Sequence, residues 1–171
     1  EIELAALLSQ IGCVTVPGEI LKKYHAGEEL TTEESKVWLG HPQVGKRLLA
    51  NIPRLENLAN GIYYQFKNYD GSGWPEDDKK YNDIPFIGRL LRIILDYDLL
   101  LQRGKSEKEA LEAMNAELGK YDHNILAALE AEALSIERGY IVRTCHIDDL
   151  IPGVILADDV RDKNGVVLIP S

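Results

Sequence analysis

The chain has 171 residues, of which 28 are acidic and 19 basic, so its formal net charge is −9 at pH 7. Its 45% hydrophobic and 27% charged residues are typical of a folded globular domain and exclude a mainly disordered chain. An acidic chain lacks the surplus of lysine and arginine that neutralises phosphates, which argues against nucleic acid and against an anionic membrane surface as partners.

The two cysteines, Cys13 and Cys145, form no Cys-x-x-Cys pair, and the sequence therefore predicts two free thiols in a reducing cytosol. The longest apolar stretch, residues 90–101, is interrupted by charged side chains and predicts no membrane span. No secretion signal is visible, so we expect a cytoplasmic protein. Both ends of the chain fall within predicted helix or strand, which indicates a fragment of a longer protein.

Apolar residues at helical spacing predict that residues 1–138 form an all-helical domain. The first helix is expected to end at Gly12, and Pro17 is expected to open a short second helix. Thr31 followed by Glu34 has the pattern of a capping box, in which each residue satisfies a free amide of the other at a helix start.

Three prolines, Pro42, Pro53 and Pro85, each precede an apolar periodic stretch. Proline is tolerated in a first helical turn because its missing N–H is not needed there, so each is predicted to open a helix. His41, which comes immediately before Pro42, is then predicted to be a helix N-cap.

The last third of the chain changes character. Ser106 with Glu109 predicts a second capping box, and Asp122 is predicted to cap the last long helix. Residues 139–171 are rich in short β-branched runs and contain the turn dipeptide Asn164-Gly165, which predicts a small β-rich element.

Residue pattern alone defines no catalytic centre. No two of the four histidines lie at i, i+4 spacing, and no serine or cysteine has the context of an activated nucleophile. The stretch from Asn68 to Asp83 is irregular and glycine-containing, and long loops in compact domains are often functional.

The sequence Asp70–Pro75, Asp-Gly-Ser-Gly-Trp-Pro, resembles the signature Asp-Gly-Ser-Gly-Tyr-Pro of HD-GYP domains, helical metal-dependent phosphodiesterases that cut cyclic di-GMP. The resemblance covers nearly the whole chain. It includes a His-Pro-x-x-Gly motif at residues 41–45, similar segments at residues 7–17, 84–89 and 106–111, and a small β element at residues 150–160. It implies a mainly α, HD-domain-like helical bundle over residues 1–138 with a small C-terminal β appendage over residues 139–171.

The chain departs from the family pattern at the positions where the family holds its metal ligands and an adjacent lysine. Only His41 keeps a ligand-type side chain. The residues at the other positions are Ser9, Gln10, Cys13, Gln65, Phe66, Lys67 and Leu95.

Without bound metals there is no activated water to attack a phosphodiester. The substitutions therefore predict a relative that binds no metal or other cofactor and is not an enzyme, with Phe66 and Leu95 closing the former ligand pocket together. The resemblance implies the output domain of a bacterial response regulator that acts through protein–protein contact. The expected partners are an upstream receiver domain and a sensor kinase, and a homodimer is compatible with this function.

Three alternatives stay open. The chain could be an active phosphodiesterase with a rebuilt metal site, a structural dimerisation module, or a non-catalytic receptor for cyclic di-GMP. The receptor would use Gly71, Ser72, Gly73, Trp74, Pro75 and Arg89. We expect Trp74, however, to pack the loop of residues 70–75 against the helices rather than to stack on a base of the ligand.

Overall fold

The computed structural model describes residues 2–137, 160–161 and 167–169. The chain divides into two compact units, Glu1–Glu130 and Ala131–Ser171. Most of the described residues are helical, which confirms the mainly α fold. The predicted domain boundary after residue 138 is not tested by this division and stays a prediction.

Among the described residues, helices two to five turns long alternate with short connections, and strands of two or three residues pair antiparallel, residues 66–67 with 73–74 and residues 160–161 with 167–169. The described elements, in chain order, are α1 (Ile2–Leu8), a first 3-10 helix (Ile11–Thr15), α2 (Gly18–Ala26), α3 (Thr32–Leu49), α4 (Glu56–Tyr63), β1 (Phe66–Lys67), β2 (Gly73–Trp74), a second 3-10 helix (Tyr81–Asp83), α5 (Phe86–Gln102), α6 (Glu107–Ala116), α7 (His123–Glu137), β3 (Val160–Arg161) and β4 (Val167–Ile169).

The predicted polar caps are confirmed. Thr31 and Glu34 form the capping box that starts α3, and Ser106 and Glu109 form the one that starts α6. The Asp122 carboxylate accepts a hydrogen bond of 3.0 Å from the backbone N–H of Asn124 at the start of α7. Local side-chain chemistry therefore decides where these three helices begin.

The proline predictions are correct only in part. Pro85 immediately precedes α5 as its N-cap. Pro42, however, lies inside α3, so the prediction of a helix N-cap at His41 is wrong, and Pro53 lies in the turn before α4. The capping box at Thr31 starts α3 ten residues earlier, and burial of apolar side chains along the helix offsets the backbone hydrogen bond that Pro42 cannot make.

The first helix also ends earlier than predicted. α1 stops at Leu8, and Gly12 lies within the first 3-10 helix, where the chain packs closely on α3. A Cβ atom built on Gly12 would lie only 1.9 Å from the carbonyl oxygen of His41. Glycine is therefore required at this crossing for close backbone approach.

Phe66 and Leu95, which the sequence placed in one pocket, belong to different hydrophobic clusters among the described residues. Phe66 is buried with Val16, Ile20 and Trp38. Leu95 packs instead against the cluster that α1, α4 and α5 form around Ile62. The prediction that Phe66 and Leu95 jointly close one pocket is therefore wrong, because β1 and this turn of α5 pack on different neighbours.

None of the described helices has the length and apolar character needed to cross a membrane. Most of the β-rich element predicted over residues 139–171, including the turn at residues 164–165, lies outside the described residues. Within residues 160–169, the described strands β3 and β4 pair antiparallel, with Val160 opposite Ile169.

We predict that Gly12→Ala destabilises the fold by about 1–3 kcal/mol, because the new methyl group must displace the His41 backbone. Gly40→Ala is the matched control, since Gly40 lies in α3 with no atom within 4 Å of a Cβ atom built there. This control should stabilise the protein by about 0.5–1 kcal/mol through the higher helix propensity of alanine. Urea unfolding measures both changes, and equal stabilities for the two variants would contradict the close-approach argument.

Candidate functional site around His41 and the loop after β1

The site begins with a backbone defect in α3. Pro42 has no N–H, so the carbonyl of Trp38, four residues earlier, cannot receive its usual helical hydrogen bond from residue 42. The side chain of His41 provides the missing donor, since its Nδ1 lies 2.7 Å from the Trp38 carbonyl oxygen. This bond places the proton on Nδ1 and leaves the lone pair on Nε2.

The lone pair of His41 is also used within the protein. Gln65 Nε2 lies 2.9 Å from His41 Nε2 and donates to it. Both side chains are buried, with His41 1% and Gln65 0% exposed. Burial lowers the pKa of His41 from 6.5 to about 4, so the imidazole is neutral near pH 7.

An aromatic layer surrounds this histidine. The ring centroid of His41 lies 4.5 Å from that of Trp38 and 5.3 Å from that of Phe66. Trp74 also packs against this cluster, which agrees with the expected plug rather than with an exposed stacking platform. The structure therefore brings together His41, Gln65, Phe66 and Trp74 of the residues singled out from the sequence.

Lys67 is a buried cation that fastens the loop after β1. Its side chain is 1% exposed, and its Nζ donates to the carbonyl oxygens of Pro75 and Asp77 at 2.8 Å each. The same Nζ lies 3.1 Å from the Asp77 carboxylate. Burial acts to raise the pKa of Asp77, but hydrogen bonds from Tyr64 and Lys67 hold it below its ordinary value.

The loop of residues 70–75, which resembles the family signature, is held by internal hydrogen bonds. The Asp70 carboxylate accepts bonds from the backbone N–H and the hydroxyl of Ser72, at 2.8 and 2.7 Å. Gly73 has φ of +83°, and a Cβ atom there would lie 2.5 Å from the carbonyl oxygen of Phe66, so only glycine fits opposite β1. Gly71, Ser72 and Gly73 border an open cleft with Lys67 and three acidic residues, Glu76, Asp77 and Asp78.

Arg89, which the receptor alternative would use to bind its ligand, makes several bonds within the protein. Its guanidinium forms an ion pair with the buried carboxylate of Asp122 and donates to Asn82 and to the carbonyl of Ile84. These bonds join the second 3-10 helix, α5 and the start of α7. The role of Arg89 and of residues 71–75 in ligand binding stays a prediction.

Of the remaining positions of the family pattern, Ser9, Gln10 and Cys13 lie close together in the chain after α1, whereas Leu95 packs elsewhere. Ser9 is buried, and its hydroxyl donates to the carbonyl of Ala6 at 2.8 Å. The thiol of Cys13 donates to Gln10 at 3.2 Å, and burial raises its pKa to about 11, which keeps it protonated at neutral pH. Leu95 belongs to the separate cluster described above.

These side chains do not fit a divalent cation at the positions that the resemblance implies. The lone pair of His41 Nε2 already accepts a hydrogen bond from Gln65. The ammonium of Lys67, in strand β1, adds a positive charge two residues after Gln65, which disfavours a cation there. Within the described residues, no group of three or more histidine, cysteine, aspartate or glutamate side chains could hold a metal ion.

Sequence reasoning missed Trp38, Asp77 and Asp122 as parts of this site. For Trp38 a signal was present, because a proline inside a helical pattern leaves the carbonyl four residues earlier without its N–H. Asp77 and Asp122 had no such signal, since their partners are 10 and 33 residues away in the chain.

The fold and the buried His-Pro pair define a mainly helical domain of the kind that the sequence resemblance implied. A family model for the HD domain matches residues 1–125, and the chain therefore belongs to the HD-domain family. This family is part of a superfamily of metal-dependent phosphohydrolases. A search of curated proteins found no match to the chain.

Family membership corrects one prediction from the sequence. The prediction that the chain is not an enzyme is contradicted, because the HD-domain match indicates a protein of phosphohydrolase type. That prediction equated the loss of aligned ligand residues with the loss of activity, whereas the match extends over most of the helical unit.

We predict that His41 makes stability depend on pH between about 6.5 and 4. The folded state resists protonation of His41, so the unfolded state binds the proton first and the free energy of unfolding decreases as pH falls through this window. The difference between 6.5 and about 4 corresponds to roughly 3 kcal/mol. Urea unfolding at a series of pH values measures the loss.

The variant His41→Gln should lose this part of the pH dependence, whereas His25→Gln should keep it because His25 is exposed. An unchanged slope between pH 6.5 and 4 in His41→Gln would show that another group is responsible.

We predict that Lys67→Met destabilises the protein by about 3 kcal/mol, because two loop carbonyls and the Asp77 carboxylate lose their common donor. Lys22→Met is the matched control, since the Lys22–Glu19 pair is exposed on both sides and should contribute less than about 1 kcal/mol. Thermal unfolding of the two variants compares them directly. A similar small loss for both would contradict the role of Lys67 as the loop anchor.

Proposed function

We propose that the chain is an HD-GYP-type output domain of a bacterial two-component signalling protein that works in the cytoplasm through contact with a protein partner. Membership of the HD-domain family and the sequence similarity to HD-GYP domains support the class. The partner is a protein of the same pathway, and a receiver domain or a sensor kinase is the expected source of the signal.

The observation that carries the contact function is the exposure of large apolar side chains in one segment of the chain. Single exposed leucines are common on protein surfaces and mean little. Here Ile2, Leu4, Leu7 and Val14 are all exposed within the first fourteen residues, Leu7 to 80% and Val14 to 78%. Apolar side chains concentrated in this way mark surfaces that bind other proteins.

A photo-crosslinking amino acid placed at position 7 or 14 of the full protein tests this proposal in living cells. We expect a discrete product with a second protein from both positions, because both side chains would be covered in the complex. Position 118 is the matched control, since Leu118 is 92% exposed but lies between α6 and α7. The same products from position 118, or none from positions 7 and 14, would contradict the proposal.

A second set of variants connects the contact with signalling. Leu7→Asp combined with Val14→Asp should abolish the cellular response while circular dichroism of the purified chain stays unchanged, because both side chains point to solvent in the isolated protein. Leu118→Asp should leave the response intact. A crosslinked product of two copies of this chain would replace the pathway partner by a homodimer.

Hydrolysis of a phosphodiester is the second candidate function, and the family match over residues 1–125 favours it. Incubation of the purified chain with cyclic di-GMP and supplied manganese or iron, followed by chromatography, tests it directly. Product above a matched blank that disappears in His41→Ala would establish this function instead.

A further inference from the structure

One buried side chain next to His41 has a hydrogen-bonding atom without a partner. Gln65 is 0% exposed, and its Oε1 accepts no hydrogen bond within the described part of the chain. An unsatisfied buried acceptor is destabilising, and such groups in folded proteins are usually satisfied by ordered water.

The orientation of the Gln65 amide is set by its neighbours. Pro42 leaves the Trp38 carbonyl open, and His41 Nδ1 must carry a proton to donate to it. His41 Nε2 is then an acceptor in the neutral ring, and only the NH₂ group of Gln65 can face it at 2.9 Å. Rotating the amide by 180° would place two acceptors against each other, so Oε1 points away from His41 and stays unpaired.

A second unpaired atom belongs to Trp74, in strand β2. Trp74 Nε1 is a buried donor without a partner in the described residues. Trp74 lies opposite Phe66 in the β1–β2 pair, and Phe66 directly follows Gln65 and contacts the ring of His41. One unpaired acceptor and one unpaired donor thus border the same aromatic layer.

We propose that this layer holds an internal water site, in which bound water donates to Gln65 Oε1 and accepts from Trp74 Nε1. Water is the ligand that fits, because it can donate and accept at once and both protein atoms are closed to bulk solvent. A metal cation does not satisfy both atoms, since it could be coordinated by Gln65 Oε1 but would face the indole N–H of Trp74, which has no lone pair to offer.

Water–protein cross-relaxation NMR on the ¹⁵N-labelled chain tests the proposal. We expect cross-peaks of long-lived water at the Gln65 side-chain amide and at the Trp74 indole N–H. Gln65→Met and Trp74→Phe each assign their signal by removing it. The backbone amide of Ile62 is the control without water, because Ile62 is 0% exposed and lies within helix α4.

A crystal structure of the unaltered chain provides the second measurement and needs no variant to fold. Water density within about 3 Å of Gln65 Oε1 and of Trp74 Nε1 is the expected result. The proposal is overturned if either atom lacks both a water cross-peak and water density.

Discussion

The missing N–H of Pro42 is the constraint on which the arrangement around His41 depends. It leaves the Trp38 carbonyl inside a buried helix without a donor, and an unpaired buried carbonyl is destabilising. His41 is the adjacent residue that can supply a hydrogen, and in doing so it fixes its own tautomer. The Nε2 atom of His41 is then an acceptor, so the side-chain NH₂ group of Gln65 must donate to it. The missing N–H in α3 therefore orients a side chain in the segment before β1.

A buried cation plays a comparable part for the loop between β1 and the second 3-10 helix. Lys67 binds two carbonyls of this loop and a carboxylate, which attaches the loop to strand β1. At the start of the loop, the backbone N–H groups of Tyr69 and Asp70 donate to the carbonyls of Lys120 and Gly119, respectively. The loop is thereby connected to β1 and to the segment before α7 by an ion pair and by backbone hydrogen bonds.

The parts of the fold that were predictable from sequence are those set by interactions close in the chain. The capping boxes at Thr31 and Ser106 act across three residues, so the starts of α3 and α6 could be predicted. The continuation of α3 through Pro42 could not, because it depends on the tertiary burial of Trp38 and Leu49. The different surroundings of Phe66 and Leu95 likewise follow from long-range packing that no spacing reveals.

The same distinction applies to the candidate site. Alignment to a motif treats His41 as the remainder of a metal centre, whereas the contacts show a structural function for it in repairing the backbone at Pro42. A residue of ligand type can therefore persist for reasons of folding, and its presence says nothing about a metal. Equally, replacement of aligned ligands is a statement about single positions, while membership of the HD-domain family is a statement about 125 consecutive residues and their packing. Activity must be judged on the whole helical unit, because the fold that supports the chemistry is retained even where individual side chains differ.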